Sequence, residues 1–290
     1  MSEGFVGRYI NLDRSPERRA ALEQRLAAAG CADRYDRFAG VDGAAVQRGA
    51  SPLSPGALGC FLSHARVILD HAERAPDRHL HILEDDVTLG PRTVPILDQI
   101  LETALGAYDL VFTDVSINFN LILQLSAMKA FRATGMTDPQ AEGGPPTPRS
   151  VLYLDLAGQA FGAASSYLVS RKALPRLAEI LRAEIAAGPR QPIDMLYGEL
   201  LNAGTLSGAC TMPFLTSIRP PDECVTTIND GMSEMDTISY LSRAPFYIDR
   251  DDAAIERLTA GLEAQATGDV LSEPMLRTAR YLFSDRFSLR

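Results

Sequence analysis

The sequence predicts an α/β protein built on a mainly parallel sheet with helices on both faces. Two observations carry this. Apolar runs of strand length alternate with helical stripes from residue 5 to residue 114, and two of the helices open on a serine followed by proline. A chain of 290 residues with 46% hydrophobic composition suffices for one large domain with appendages.

Residues 5 to 12 read as a first strand running into Ser15-Pro16-Glu17, where proline at the first helical position forgoes an N–H that has no intrahelical partner anyway. Leu22, Leu26 and Ala29 then recur at helical spacing up to Gly30, a residue suited to a left-handed helix end. Ser54-Pro55 repeats the opening, and Leu58, Phe61, Leu62, Ala65, Ile68, Leu69 and Ala72 form one apolar stripe of a helix to about residue 74. His79 to Val87 reads as a partly buried strand through Leu80, Ile82 and Leu83, ending in Glu84-Asp85-Asp86. Residues 91 to 105 predict a helix and 108 to 114 a strand, with Leu110-Val111-Phe112 flanked by Asp109 and Asp114. Open α/β sheets bind ligands beyond the carboxyl ends of their strands, so the acidic triplet and Asp114 are expected at one edge. Residues 134 to 150, rich in proline and glycine, read as a long loop. Tyr167 to Ser170 leads a helix through Leu174, Leu177, Ile180 and Leu181, Asp194 sits at the start of a short one, and two helical stretches follow Asp249.

Composition narrows the function. A net charge of -9 repels polyanions, which argues against a nucleic-acid partner. Cys31, Cys60, Cys210 and Cys224 lack paired zinc spacing, nothing at the N-terminus resembles a signal peptide, and no apolar run is long enough to span a membrane. These features predict a cytoplasmic protein with free thiols.

Three adjacent acids after a buried strand are costly unless they face water or a cation. Continued strand geometry through the triplet places Glu84 and Asp86 on one face, where they can grip one hard divalent ion, and Asp85 on the other. A solvated acidic turn gives the same pattern. Asn11, Asp13, Arg14, Arg18 and Arg19 follow the first strand, where helix amides favour an anion; ordinary solvated arginines fit that pattern too. All four histidines, His64, His71, His79 and His81, fall within eighteen residues, but their positions on helix and strand do not converge as a histidine zinc site requires. His64 flanks its helical stripe, so it either meets a ligand or packs at the helix–sheet edge.

In order and in spacing, Tyr9-Ile10-Asn11-Leu12-Asp13-Arg14, Gly40-Val41-Asp42-Gly43, Leu53-Ser54-Pro55-Gly56, Gly59-Cys60, Leu62-Ser63-His64 and Ile82-Leu83-Glu84-Asp85-Asp86 resemble glycosyltransferase family 25. That family includes bacterial lipo-oligosaccharide galactosyltransferases and collagen galactosyltransferases. Weaker matches follow at Tyr167-Leu168-Val169-Ser170-Arg171 and Pro192-Ile193-Asp194, and none after about residue 220. The resemblance implies a GT-A type fold and an inverting, metal-dependent transfer of galactose or glucose from a UDP-sugar to a saccharide hydroxyl. It further implies Mn²⁺ or Mg²⁺ at Glu84 and Asp86, and donor contacts from Asn11, Asp13, Arg14, Arg18, Asp42, His64 and Asp85. The chain departs from the family at Ala57, where an acid is common.

On this reading residues 1–220 form the catalytic domain and 221–290 a helical extension packed on it. Asp194 is the expected general base, with Asp114, Asp155 and His64 as other candidates and helix capping as its alternative role. The partners are the nucleotide-sugar donor and a glycan acceptor. Met275 to Arg290, mixing Leu282, Phe283 and Phe287 with arginines, reads either as a packed helix or as a peripheral contact with the inner face of a membrane. Two rival functions remain at this stage: another metal-dependent nucleotide enzyme, which the missing glycine-rich phosphate loop disfavours, and a catalytically inactive nucleotide-sugar binding module.

Overall fold

The computed structural model describes residues 4–117, 120–134, 151–224 and 234–265. The chain opens with β1 (Phe5–Asn11) and α1 (Pro16–Ala28). Ser15 stands at the helix start but makes no side-chain cap bond, so the signal there is Pro16. At the other end Gly30 has φ +69°. The Cys31 N–H reaches Leu26 O and the Gly30 N–H reaches Ala27 O, closing the helix in a Schellman motif.

After β2 (Tyr35–Ala39) comes α2 (Pro55–Arg74), where Ser54 Oγ does accept from the Ala57 amide. β3 (His79–Glu84) is followed at once by β4 (Val87–Thr88), α3 (Thr93–Ala107), β5 (Leu110–Phe112) and α4 (Leu121–Ala133). The second half comprises β6 (Leu152–Asp155), β7 (Ser166–Val169), α5 (Leu174–Ala187), α6 (Ile193–Asn202), β8 (Gly208–Met212), β9 (Ser217–Ile218), α7 (Glu234–Leu241) and α8 (Asp252–Gln265).

Among the described residues seven strands make one sheet in the order β2-β1-β3-β7-β5-β8-β6, and β4 pairs with β9 in a small antiparallel ribbon. β1, β2, β3, β5 and β8 run one way, while β7 lies antiparallel between β3 and β5 and β6 lies antiparallel at the edge. This is a mixed, mostly parallel α/β sheet consistent with a GT-A-like fold. Tyr167 and its neighbours form the central strand β7, which leads through a short turn into α5, the helix expected through Leu174, Leu177, Ile180 and Leu181. Four residues buried on both faces show no alternation for a sequence pattern to catch.

Side chains alternate between two cores. Leu80 and Ile82 of β3, Leu110 and Phe112 of β5, and Tyr167 and Val169 of β7 pack under α2, α4, α5 and α6. Leu83, Val111 and Leu168 point the opposite way, toward Leu22 and Leu26 of α1 and Leu97 and Leu101 of α3. Truncating a fully buried leucine here costs about 2–5 kcal/mol. A third cluster joins Tyr240, Leu241, Ala254 and Leu258 against Ile218, attaching α7 and α8 to the β9 ribbon. Met275–Arg290 and most of the 134–150 loop lie outside the described residues.

The topology concentrates chain ends at one sheet edge. β1 and β3 finish together, with Ile10 paired to Glu84, so Asn11 and Asp85 come next to each other. β5 delivers Thr113 and Asp114 to the same edge, and antiparallel β7 begins there, with Ser166 opposite Leu83.

Candidate active site

The acidic triplet is not a continued strand. β3 ends at Glu84, and Asp85-Asp86 form a turn into β4, so the strand alternation expected through Asp86 does not apply. The physical reason lies in the partners. Asp85 is pulled inward, its Oδ2 accepting from Asn11 Nδ2 at 2.7 Å and its Oδ1 from Arg18 Nε at 2.7 Å. Arg25 donates to the carbonyls of Asp85 and Val87, fixing the turn backbone from α1. Arg18 spans both aspartates, reaching Asp86 Oδ2 at 3.0 Å. Burial opposes the charge on Arg18, yet Asp86 and Asp85 outweigh it and raise its pKa.

Two clefts meet at this turn. The first, of about 250 Å³, is lined by Asn11, Arg14, Arg18, Asp42, His64 and the triplet, and lies between the end of β1, the loop after β2 and the start of α2. The second, of about 260 Å³, is lined by Asp194, Ser165, Arg219, Asp236, Ser239 and Arg243 among others. Cys60, Glu84 and Asp86 belong to both.

The first cleft's outer wall depends on two glycines. A Cβ on Gly43 would stand 1.7 Å from Pro55 O, and one on Gly59 would stand 2.6 Å from Val41 O, so the loop lies against α2 only without side chains there. Ser63 Oγ fastens the same contact, accepting from the Val41 amide at 2.8 Å and donating to Gly59 O. Asp42 accepts from the Ala44 amide and pairs with Arg14 at 2.6 Å, and these two interactions hold its pKa below the usual carboxylate range.

At the junction, His64 Nε2 lies 3.0 Å from Glu84 Oε1, its Nδ1 lies 2.9 Å from Tyr167 OH, and Tyr167 OH lies 2.9 Å from Tyr197 OH. A carboxylate only accepts, so Nε2 carries a proton in this arrangement; in that tautomer Nδ1 accepts from Tyr167, which in turn accepts from Tyr197. Burial works against a charge on Glu84, but the His64 hydrogen bond and Arg18 keep its pKa below the ordinary value. Asp86 behaves oppositely. Burial, with the charges of Glu84 and Asp85, pushes it up to about 6 against the pull of Arg18. Its Oδ1 is buried and has no hydrogen-bond partner among the described residues.

The donor-side residues expected from sequence therefore divide. Arg14, Arg18, Asp42, His64 and Asp85 line the first cleft together with Glu84 and Asp86. Asn11 also borders it but is 2% exposed, with its side chain held by Asp85, Ser15 O and Arg37, so it organises the wall from behind. Asp13 does not line the cleft; it pairs with Arg37 and is largely exposed.

Of the four candidate bases, Asp194 alone lines the second cleft. It is not the cap of a helix starting at Met195. α6 begins at Ile193 behind Pro192, and Asp194 Oδ2 accepts from the Ala163 amide at 2.9 Å. Ala163 has φ +67°, unusual for a residue with a side chain, and Asp194 thereby secures that loop beside the cleft. Asp114 is fully buried against Arg243 at 2.9 Å and Ser165 at 3.0 Å, Asp155 lies on the edge strand β6, and His64 is engaged as described. Burial raises the Asp114 pKa, with Arg243 opposing it.

Sequence reading missed Arg243, Arg219, Asp236 and Ser165. The first three belong to stretches with no recognisable motif and reach the site only through α7 and the β9 ribbon. Ser165 was detectable in principle, since it directly precedes a strand that starts at the ligand edge. The four histidines do not converge: His71 bonds Arg78 O, His79 the Arg171 amide, and His81 Tyr35 and Ser166. Among the described residues no helix is long and apolar enough to cross a membrane.

The family model described as glycosyltransferase family 25 (LPS biosynthesis protein) matches residues 6–196, a span from β1 into α6 that holds the whole lining of the first cleft and, of the second, the shared wall, Ser165 and Asp194, while Arg219, Asp236, Ser239 and Arg243 lie beyond it. No curated protein matches the chain.

Proposed function

We propose, because the chain belongs to glycosyltransferase family 25 and is a glycosyltransferase, that it moves a hexose from a UDP-sugar to a saccharide hydroxyl with inversion at the anomeric carbon. The hexose is galactose or glucose. The family's description as an LPS biosynthesis protein points to a saccharide of lipo-oligosaccharide or another surface glycan as acceptor. The observation that carries this reading is the pair of clefts sharing the wall Cys60, Glu84 and Asp86, since transfer needs two substrates whose reacting atoms meet at one place.

The first cleft suits the donor. Arg14 and Arg18 stand at the start of α1, where helix amides favour a diphosphate. Glu84 and Asp86 fit a hard divalent ion, Mn²⁺ or Mg²⁺: both residues line both clefts, and the unpartnered Asp86 Oδ1 is a buried acceptor that a cation would satisfy. Such an ion, when bound, neutralises charge on the departing diphosphate. Arg18 and Asn11 hold Asp85 and so keep the turn in place.

The second cleft suits the acceptor. Asp194 lines it and keeps carboxylate lone pairs beyond those facing Ala163 and Met195, as a base for the acceptor hydroxyl requires. Arg243, fixed by Asp114, and Ser239 supply donors for saccharide hydroxyls.

The test is product analysis with UDP-galactose and UDP-glucose, Mn²⁺ and a panel of lipo-oligosaccharide acceptors. Free UDP that vanishes with chelator and a β-configured product from an α-configured donor are expected. Release of pyrophosphate, turnover indifferent to chelator, or retained configuration would each overturn the corresponding part.

A further inference from the structure

We infer that Cys60, His64 and Glu84 form a binding site for a thiophilic divalent cation of the zinc class, set in the wall between the two clefts. Cys60 and His64 are four residues apart on α2 and so share a face, and Glu84 ends β3 directly opposite. Glu84 Oε1 is 3.0 Å from His64 Nε2 and 3.7 Å from Cys60 Sγ, and the three donor atoms all lie within 4.8 Å of one another. Tetrahedral zinc, with bonds of about 2.0–2.3 Å, sets its ligand atoms roughly 3.3–3.7 Å apart. Small side-chain shifts bring this trio onto one face of that tetrahedron.

The chemistry of the donors separates this site from the oxygen pair Glu84–Asp86. Sulfur and imidazole select zinc or cobalt, whereas Mg²⁺ and Mn²⁺ prefer carboxylate and water. Cys60 and Glu84 line both clefts, which leaves the remaining coordination position open to water. The support that metal-binding histidines use is also present, because His64 Nδ1 meets Tyr167 OH, itself backed by Tyr197. For Nε2 to bind a cation its proton must move to Nδ1. Tyr167 accommodates that, since a hydroxyl can accept from Nδ1–H as readily as it donates to a bare Nδ1. The thiol proton leaves to solvent on binding.

Sharing Glu84 gives the site a consequence that rests on the donor-metal reading above: zinc and the Mn²⁺-assisted donor exclude each other. The site itself does not depend on that reading.

Metal-free full-length protein titrated with Co²⁺, then with Zn²⁺, tests the assignment. Expected are one equivalent of tightly held Co²⁺, a thiolate-to-cobalt absorption band in the near ultraviolet and its displacement by Zn²⁺. The band should vanish in Cys60→Ser, and affinity should fall about tenfold or more in Tyr167→Phe, a change that a purely structural hydrogen bond would not produce. In unmodified protein Zn²⁺ should shield Cys60 from alkylation, mapped by mass spectrometry, so the test survives if a variant misfolds. No thiolate band, a band that persists in Cys60→Ser, or unshielded Cys60 would refute the site. Mn²⁺ binding, followed by EPR in wild type and Asp86→Asn, reports separately on the acidic turn: its loss with the cobalt band intact leaves both readings standing, and no Mn²⁺ binding in wild type sinks only the donor-metal reading.

Discussion

Asn11 Nδ2 donates to Asp85 Oδ2 across 2.7 Å, so the end of the first strand holds the middle acid of the triplet, 74 residues later, where the turn begins. The same amide oxygen accepts from Arg37 Nε on the neighbouring strand, and Arg18 takes the other Asp85 oxygen. One buried asparagine thus locks β1, β2 and the acidic turn in a single network. Asn11→Ala removes partners from a buried carboxylate and from Arg37 and should destabilise the protein by about 1–3 kcal/mol. Urea unfolding should show a lower midpoint with an unchanged slope. A midpoint equal to wild type would mean the network contributes nothing.

Asp86→Asn keeps the shape of the turn but removes the charge that the proposed cation needs. Mn²⁺-dependent UDP binding, read by calorimetry with and without EDTA, should weaken while the melting temperature stays close to wild type. Because burial pushes Asp86 up to about 6, a proton competes with the cation below that pH. Mn²⁺ affinity should therefore fall as pH drops through about 6, by up to about tenfold per unit. Equal UDP affinity in the variant, with chelator and without, would take the acidic turn out of the donor site.

Asp194→Asn retains an oxygen for the Ala163 amide, so stability should change little. Turnover should drop by a factor on the order of 10² to 10⁴ with donor affinity nearly constant, the pattern of a lost base. Matching variants of Asp114, Asp155 and His64 serve as comparisons. Wild-type turnover in Asp194→Asn, alongside an inactive variant of another candidate that still binds UDP, would move the base there.

His81 is enclosed between Tyr35 OH, 2.8 Å from Nδ1, and Ser166 Oγ, 3.1 Å from Nε2, and burial lowers its pKa from 6.5 to about 3. The unfolded chain therefore binds a proton in a pH range where the folded chain does not. The stability from a neutral His81 is complete above pH 6.5 and is lost as the pH falls toward and through about 3. Below pH 6.5 wild type should lose up to about 1.4 kcal/mol per pH unit more than His81→Gln. Urea titrations of both proteins at pH 7, 6 and 5 measure this, and parallel losses would show that His81 is not the group responsible.

Local sequence determined the elements whose order places the site. Period-3.6 stripes and Ser-Pro openings located α1 and α2, and apolar runs located β1, β3 and β5. The order of these elements was enough to put Glu84-Asp85-Asp86 and Asp114 at one edge. Tertiary structure decided the rest. β2 is a short, half-exposed strand, and β7 and β8 are buried on both faces, so none carries an alternating signal; they are strands because their backbone groups find partners in the sheet. Whether β3 ran on through Asp86 could not be read from Glu84-Asp85-Asp86 alone, because the side chains that pull Asp85 inward, Asn11 and Arg18, lie more than 60 residues earlier. Arg243 reaches Asp114 across 129 residues, and nothing in its own neighbourhood marks it as part of a site. Periodicity reports which face a residue prefers to bury; which charge waits on that face is fixed only when distant segments pack together.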